Sequence, residues 1–187
     1  MPSAPPATGE IFRRITLKEI GVQRAVELRG PHSYSSLSFV LPYAEIPRQA
    51  SLRVTYHFNR FVGPHAGAVQ VRLNRASLGT LEPIATQRED QYDTVDLALP
   101  ADMLVRRNEL TFEFNGNAVL QTEEKARSVV LAEIGDSSIV QIQATTIPFK
   151  NDVSLLPLPL FDSDLQTETT IPFVFLTQPD AKTLQAA

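Results

Sequence analysis

Three histidines, His32, His57 and His65, are the side chains in this sequence suited to proton exchange near neutral pH or to ligating a metal through a ring nitrogen. Their placement supports neither role. His57 and His65 are not at helical spacing, His57 falls on the polar side of an alternating run, and His65 follows Gly63-Pro64. They read as exposed histidines, with no metal site. The acid pairs Glu89-Asp90 and Glu123-Glu124 lie in polar stretches, and paired carboxylate chemistry needs a defined separation in space, not adjacency in sequence. Cysteine is absent, which excludes thiolate catalysis, disulfides and cysteine-held metals. The eight glycines form no GxGxxG and no phosphate-binding loop, and no GxSxG elbow occurs. No motif of a known reaction occurs here, so the chain is expected to be noncatalytic and without a cofactor.

Binding chemistry is better represented. Arg53, His57, Gln70, Arg72, Asn74 and Glu113 occupy polar positions of alternating runs, and on one sheet surface they would offer planar donors and acceptors suited to sugar hydroxyls. The plain alternative is a solvated sheet face. Sugar rings also stack on aromatic faces, yet tryptophan is absent, and Phe39, Tyr56, Phe58, Phe112 and Phe114 fall at core-facing positions. Tyr34, Tyr43, Phe61 and Tyr92 lie in or beside turns, where they would be exposed as platforms or as caps on the ends of a sandwich.

The elements that must position these residues are strands. Leu37 to Leu41, Leu52 to Phe58, Val69 to Asn74, Val95 to Leu99 and Leu110 to Phe114 alternate apolar with polar at period two, the mark of half-buried strands. Ile15 to Leu17, Ala25 to Leu28, Leu78 to Leu81, Val129 to Ile134 and Ile139 to Gln143 extend the set to eight or more. Gly30-Pro31, Pro42, Pro47, Gly63-Pro64, Gly79, Pro100 and Asn115-Gly116 punctuate them with turn chemistry. One short helical turn is expected near Asp102 to Arg106. Many short antiparallel strands define a mainly β chain, a sandwich or jelly roll.

At 187 residues, with 43% hydrophobic and 20% charged residues, the chain can bury a core despite its 14 prolines. A formal charge of −4 gives no basic excess for nucleic acid or anionic lipid. No apolar run approaches the roughly 20 residues that span a bilayer. Residues 1–11, rich in Pro, Ala and Ser, read as a flexible lead-in, and residues 12–150 as the β domain. Residues 151–170 form a Pro-rich connector, because Pro157 and Pro159 cannot donate to a sheet ladder. Residues 171–187 pair a continuous apolar run, Ile171 to Leu176, with a helix-forming tail from Asp180, as in the first strand and helix of a second, truncated domain.

Four blocks in succession carry a family likeness: Ile15 to Gly21, Leu28-Arg29-Gly30, Leu37 to Pro42 continuing to Leu52, and Val69 to Asn74. Leu156 to Asp162, Ile171 to Phe175 and Leu184 to Ala187 add to it in order and spacing. The chain resembles the periplasmic B, or regulatory, subunit of bacterial cellulose synthase. The resemblance implies a jelly-roll carbohydrate-binding-like domain followed by the start of a flavodoxin-like α/β domain. It also implies that the sequence is an N-terminal fragment of the periplasmic part. Membrane attachment would come only through segments this chain does not contain.

Two departures qualify the likeness. Typical members carry a cysteine and a tryptophan after the strand matching Leu110 to Phe114, where this chain has Gln121 to Arg127 with neither. The family is commonly described as binding cyclic di-GMP, but the RxxxR and (D/N)xSxxG pair that clamps the dinucleotide elsewhere is absent. Asn74-Arg75-Ala76-Ser77-Leu78-Gly79 has its serine one place late.

By resemblance, then, the chain supports cellulose synthesis and contacts or guides the nascent β-1,4-glucan, its partners being the membrane-embedded catalytic subunit, the glucan and further copies of itself. The expected sugar-contacting residues are Arg53, His57, Gln70, Arg72, Glu113, Tyr34, Tyr43, Phe61 and Tyr92. The alternatives are an assembly module without sugar affinity and a secreted lectin-like domain.

Overall fold

The structure is a computed structural model that describes residues 9–60, 62–63, 65–84, 91–116, 129–148, 154, 156–157 and 161–165. Among the described residues ten strands are formed: β1 Glu10–Thr16, β2 Ala25–Arg29, β3 His32–Val40, β4 Glu45–Phe58, β5 Gly67–Leu73, β6 Ala76–Leu81, β7 Asp93–Leu99, β8 Arg107–Gly116, β9 Val130–Gly135 and β10 Ile139–Thr146. The five strongest period-two runs lie in strands except at two ends, Leu41 and Asn74, which fall just past β3 and β5. The expected helical turn is a single 3-10 turn at Ala101–Met103, overlapping the start of the expected stretch Asp102 to Arg106 and ending earlier.

All strand pairings among the described residues are antiparallel. In the first sheet, β10 lies along β4 from Glu45 to Arg53 and β9 continues along the same edge from Tyr56 to Phe58. On their far side β1 pairs with β10 and β2 with β9, while β7 covers the opposite edge of β4. The second sheet runs β3-β8-β5-β6. With β1/β2 and β9/β10 each taken as one interrupted strand, eight strands remain, ordered 1-8-3-6 and 2-7-4-5. That is the strand order of a jelly roll.

The first break, between β1 and β2, has a local cause. Glu19 accepts hydrogen bonds from the Thr16 backbone N–H at 2.6 Å and from its hydroxyl at 2.8 Å, and the Glu19 N–H returns one to Thr16 Oγ1 at 3.2 Å. This reciprocal bonding, of the capping-box kind, folds Leu17 to Gly21 into a turn, closed at Gly21 by a φ of 104° that suits glycine.

Between the sheets Leu28, Leu52, Val54, Val69, Val71, Leu110, Phe112, Phe114, Leu131 and Ile142 are buried with the core-facing aromatics expected from sequence. Burial of this apolar surface, alternating along each strand with polar residues outside, fixes the register, since a one-residue slip would turn every side chain over.

The chain divides into two units, residues 1–148 and 149–187. In the second, Phe161 N–H bonds the Pro157 carbonyl at 2.7 Å and Leu165 N–H the Asp162 carbonyl at 3.0 Å, closing two turns. The expected strand and helix at 171–187 lie outside the described residues.

Candidate functional site

The residues expected on one polar surface fall on two. Gln70, Arg72 and Glu113 face outward from β5 and β8 in the second sheet, whereas Arg53 and His57 face outward from β4 in the first. The reason is topological: successive strands of a jelly roll mostly alternate between sheets, so β4 and β5 are neighbours in sequence but not in one sheet. Asn74 faces neither surface. It sits in the β5–β6 turn with Arg75, both at positive φ, and its side-chain amide donates to the Met103 carbonyl at 2.8 Å and to Asn108 Oδ1 at 3.1 Å. The Asn74-to-Gly79 segment that comes near a dinucleotide motif is therefore a tight hairpin.

On the second sheet the outward side chains form a connected polar row. The Arg72 guanidinium lies 3.0 Å from Glu113 Oε2 and also hydrogen-bonds the Gln70 amide oxygen. Asn115 Nδ2 donates to Glu113 Oε1 at 3.0 Å, and His32 Nδ1 is 3.2 Å from Asn115 Oδ1. Tyr34 stands in register with Glu113 across β3 and β8, and Gln70 is in register on the other side. Tyr34 is 77% exposed, and it projects from β3 two residues past the strand's start at His32. A guanidinium has five N–H donors, so two contacts do not exhaust Arg72. The result is a fixed array of planar donors and acceptors beside an exposed aromatic ring. At the end of this row His65, Ala66, Gly67, Ala68, Glu82, Pro83 and Asn115 line a cavity of about 400 Å3.

On the first sheet the polar groups are bound to one another. Arg53 holds Asp96 through two parallel hydrogen bonds, 2.8 and 3.0 Å, and these lower the Asp96 carboxyl's pKa. His57 Nδ1 is 3.0 Å from the Gln91 carbonyl, and its ring is 5.7 Å from that of Tyr92. The Tyr92 hydroxyl donates to Glu133 Oε2 at 2.5 Å; burial and this bond push its pKa up to about 12. Tyr43 is exposed in the β3–β4 turn. Phe61, Glu89-Asp90 and Glu123-Glu124 lie outside the described residues.

Sequence reasoning missed Phe12. It is 64% exposed on β1, where Gln143 of β10 is its register partner and Gln49 of β4 is the next residue across. No alternation marks it, because Arg13 fills the partly buried position between Phe12 and Arg14. Among the described residues no group of three or more His, Asp or Glu side chains is placed to hold a metal ion.

The jelly-roll strand order is one that carbohydrate-binding modules share with other sandwich proteins. Residues 12–146 match the family model described as the first CBM domain of cellulose synthase BcsB, and residues 152–187 match the model of its first FD domain. The chain belongs to the cellulose synthase BcsB family.

Among curated relatives, a cyclic di-GMP-binding protein of Pseudomonas fluorescens (strain SBW25) is 28% identical over 173 residues, covering 92% of this chain and 23% of the relative. Cellulose synthase 2 of Novacetimonas hansenii is 27% identical over 190 residues, covering 96% of this chain and 12% of the relative. The chain thus spans less than a quarter of these relatives. Among solved structures, a family 35 carbohydrate-binding module from an environmental isolate aligns with a TM-score of 0.39 and 15% identity, over 79% of this chain and 96% of that one. Dimeric latent PorU from Porphyromonas gingivalis aligns with a TM-score of 0.44 and 9% identity, over 78% and 14%. These likenesses are loose, and the fold rests on the strand order instead. Among the described residues no helix is long and apolar enough to cross a membrane.

Proposed function

We propose that this chain is part of the noncatalytic periplasmic subunit of a bacterial cellulose synthase complex, and that its jelly roll contacts the nascent β-1,4-glucan. The observation that carries the glucan reading is the outward row of the second sheet, where exposed Tyr34 stands beside the connected Glu113, Arg72 and Gln70. Tyr34 supplies an apolar ring for a sugar face, and the row supplies hydrogen bonds to the hydroxyls at the ring's edge.

Such a site binds weakly. A flat, open face buries little area and leaves the costs of association largely uncompensated, which suits a polymer that must slide. The membrane-embedded catalytic subunit performs the glucosyl transfer. Cyclic di-GMP, in this reading, acts on that partner, because the nearest motif in this chain is spent on the β5–β6 turn. Residues 171–187 begin a flavodoxin-like domain, and attachment to the membrane comes from parts of the protein beyond this chain.

The test is complementation. Cells lacking the subunit receive the full-length protein with Tyr34→Ala and Arg72→Ala together, and both cellulose yield and complex assembly are measured. Normal assembly with a several-fold fall in cellulose yield is the expected result. Normal assembly with an unchanged yield overturns glucan contact at this face and favours an assembly module.

A further inference from the structure

On the first sheet, away from the Tyr34 row, lies a shallow groove of about 250 Å3 lined by Phe12, Gln49, Ala50, Ser51, Gln141 and Gln143. Its floor is three adjacent strands. Phe12 pairs with Gln143 and Gln143 with Gln49; one step along, Gln141 pairs with Ser51. Val140, Ile142 and Ala144, which alternate with the two β10 glutamines, are buried, so Gln141 and Gln143 face outward.

Three features select the ligand. No lining residue is charged, although Arg14, the register partner of Gln141, stands exposed at the groove's edge. Each glutamine amide offers two N–H donors and a carbonyl acceptor in one plane, and serine adds a hydroxyl. An exposed aromatic on a sheet ordinarily rests on an apolar cross-strand neighbour. Phe12 instead has an amide for its register partner and stays 64% exposed. A neutral, hydroxyl-rich molecule with an apolar face meets all three conditions. The groove is smaller than the roughly 300–1,000 Å3 of enclosing pockets and is open, so it suits a short stretch of a longer chain.

We infer that the Phe12 groove is a second saccharide-binding site, for a neutral glycan chain of the β-1,4-glucan class, with Phe12 as the stacking platform and Gln49, Gln141 and Gln143 as hydroxyl partners. The inference deepens the glucan reading of this domain and rests on it. Because Phe12 and Tyr34 point from opposite outer faces of a sandwich whose sheets pack about 10 Å apart, one short oligosaccharide cannot occupy both sites. The domain therefore binds two.

NMR titration of the 187-residue chain with cellohexaose, following backbone and glutamine side-chain amides, tests the inference. The Gln49, Gln141 and Gln143 signals are expected to move with saturation. Phe12→Ala is expected to weaken binding there by about tenfold or more while leaving the Tyr34 row unaffected. Gln141→Ala with Gln143→Ala, outward-facing, half-buried substitutions on the same face, should weaken it likewise. Shifts confined to Tyr34, Gln70, Arg72 and Glu113 overturn the second site and leave the first standing. Shifts nowhere overturn both.

Discussion

Ser138 Oγ accepts a hydrogen bond from the Thr55 backbone N–H at 2.9 Å and donates one to the Thr55 carbonyl at 3.3 Å. Its position explains why. Arg53 pairs with Ile139 and Tyr56 with Ile134, so the β9–β10 break leaves this edge of β4 without a strand neighbour at Thr55. One buried hydroxyl stands in for a main-chain ladder step, and the sheet continues past the interruption.

Ser138→Ala removes both bonds and leaves two backbone groups without their partner inside the sandwich. The expected loss is about 1–3 kcal/mol, read as a lower urea midpoint with an unchanged slope. A variant as stable as the parent would mean that this bridge contributes nothing.

Close approach of two strands sets a second expectation. Gly67 and Gly116 are register partners, and a Cβ built on Gly116 would lie 2.3 Å from the Gly67 Cα and 2.7 Å from the Ala66 oxygen. Backbone cannot yield as a flexible side chain does, so Gly116→Ala should destabilise by about 1–3 kcal/mol or more. Gly9→Ala, where a Cβ meets nothing within 4 Å, is the control and should stay within about 0.5 kcal/mol. Thermal unfolding of the two variants side by side separates these cases.

Tyr92 carries a pH signature. Its pKa is raised from 10.0 to about 12, so above pH 10 the unfolded chain ionises this hydroxyl before the folded one does. The contribution of Tyr92 to stability is thus complete below pH 10 and is lost as pH climbs through about 12. Spectrophotometric titration of phenolate should show Tyr92 ionising late, and Glu133→Gln, which removes the adjacent negative charge, should lower its pKa. A Tyr92 that ionises at the ordinary value would contradict the bond to Glu133.

Much of the fold was readable from sequence where burial alternates cleanly, as at Leu52, Val54, Tyr56 and Phe58 of β4. The misses have physical causes. In β3 the partly buried positions before Leu37 are Ser33 and Ser35, so no apolar period marks the strand's first half. In β1 the position alternating between Phe12 and Arg14 is Arg13, whose guanidinium is held by Glu45 at 3.0 and 2.5 Å. A charge at that position breaks the pattern, which hid both the strand's start at Glu10 and the outward aim of Phe12. Which polar residues share a surface was out of reach of periodicity altogether. Which strands pair within each sheet decides it, and here that separates Arg53 and His57 from Gln70, Arg72 and Glu113.

Glucan contact by this domain is measured most directly by co-sedimentation of the 187-residue chain with amorphous cellulose, beside an insoluble β-1,3-glucan. The wild-type chain should be retained, weakly, by cellulose and not by the β-1,3 polymer, and Tyr34→Ala with Arg72→Ala should reduce that retention without altering stability by more than about 0.5 kcal/mol. No retention on cellulose, or equal retention on both polymers that the double variant leaves intact, would contradict a glucan-contacting face.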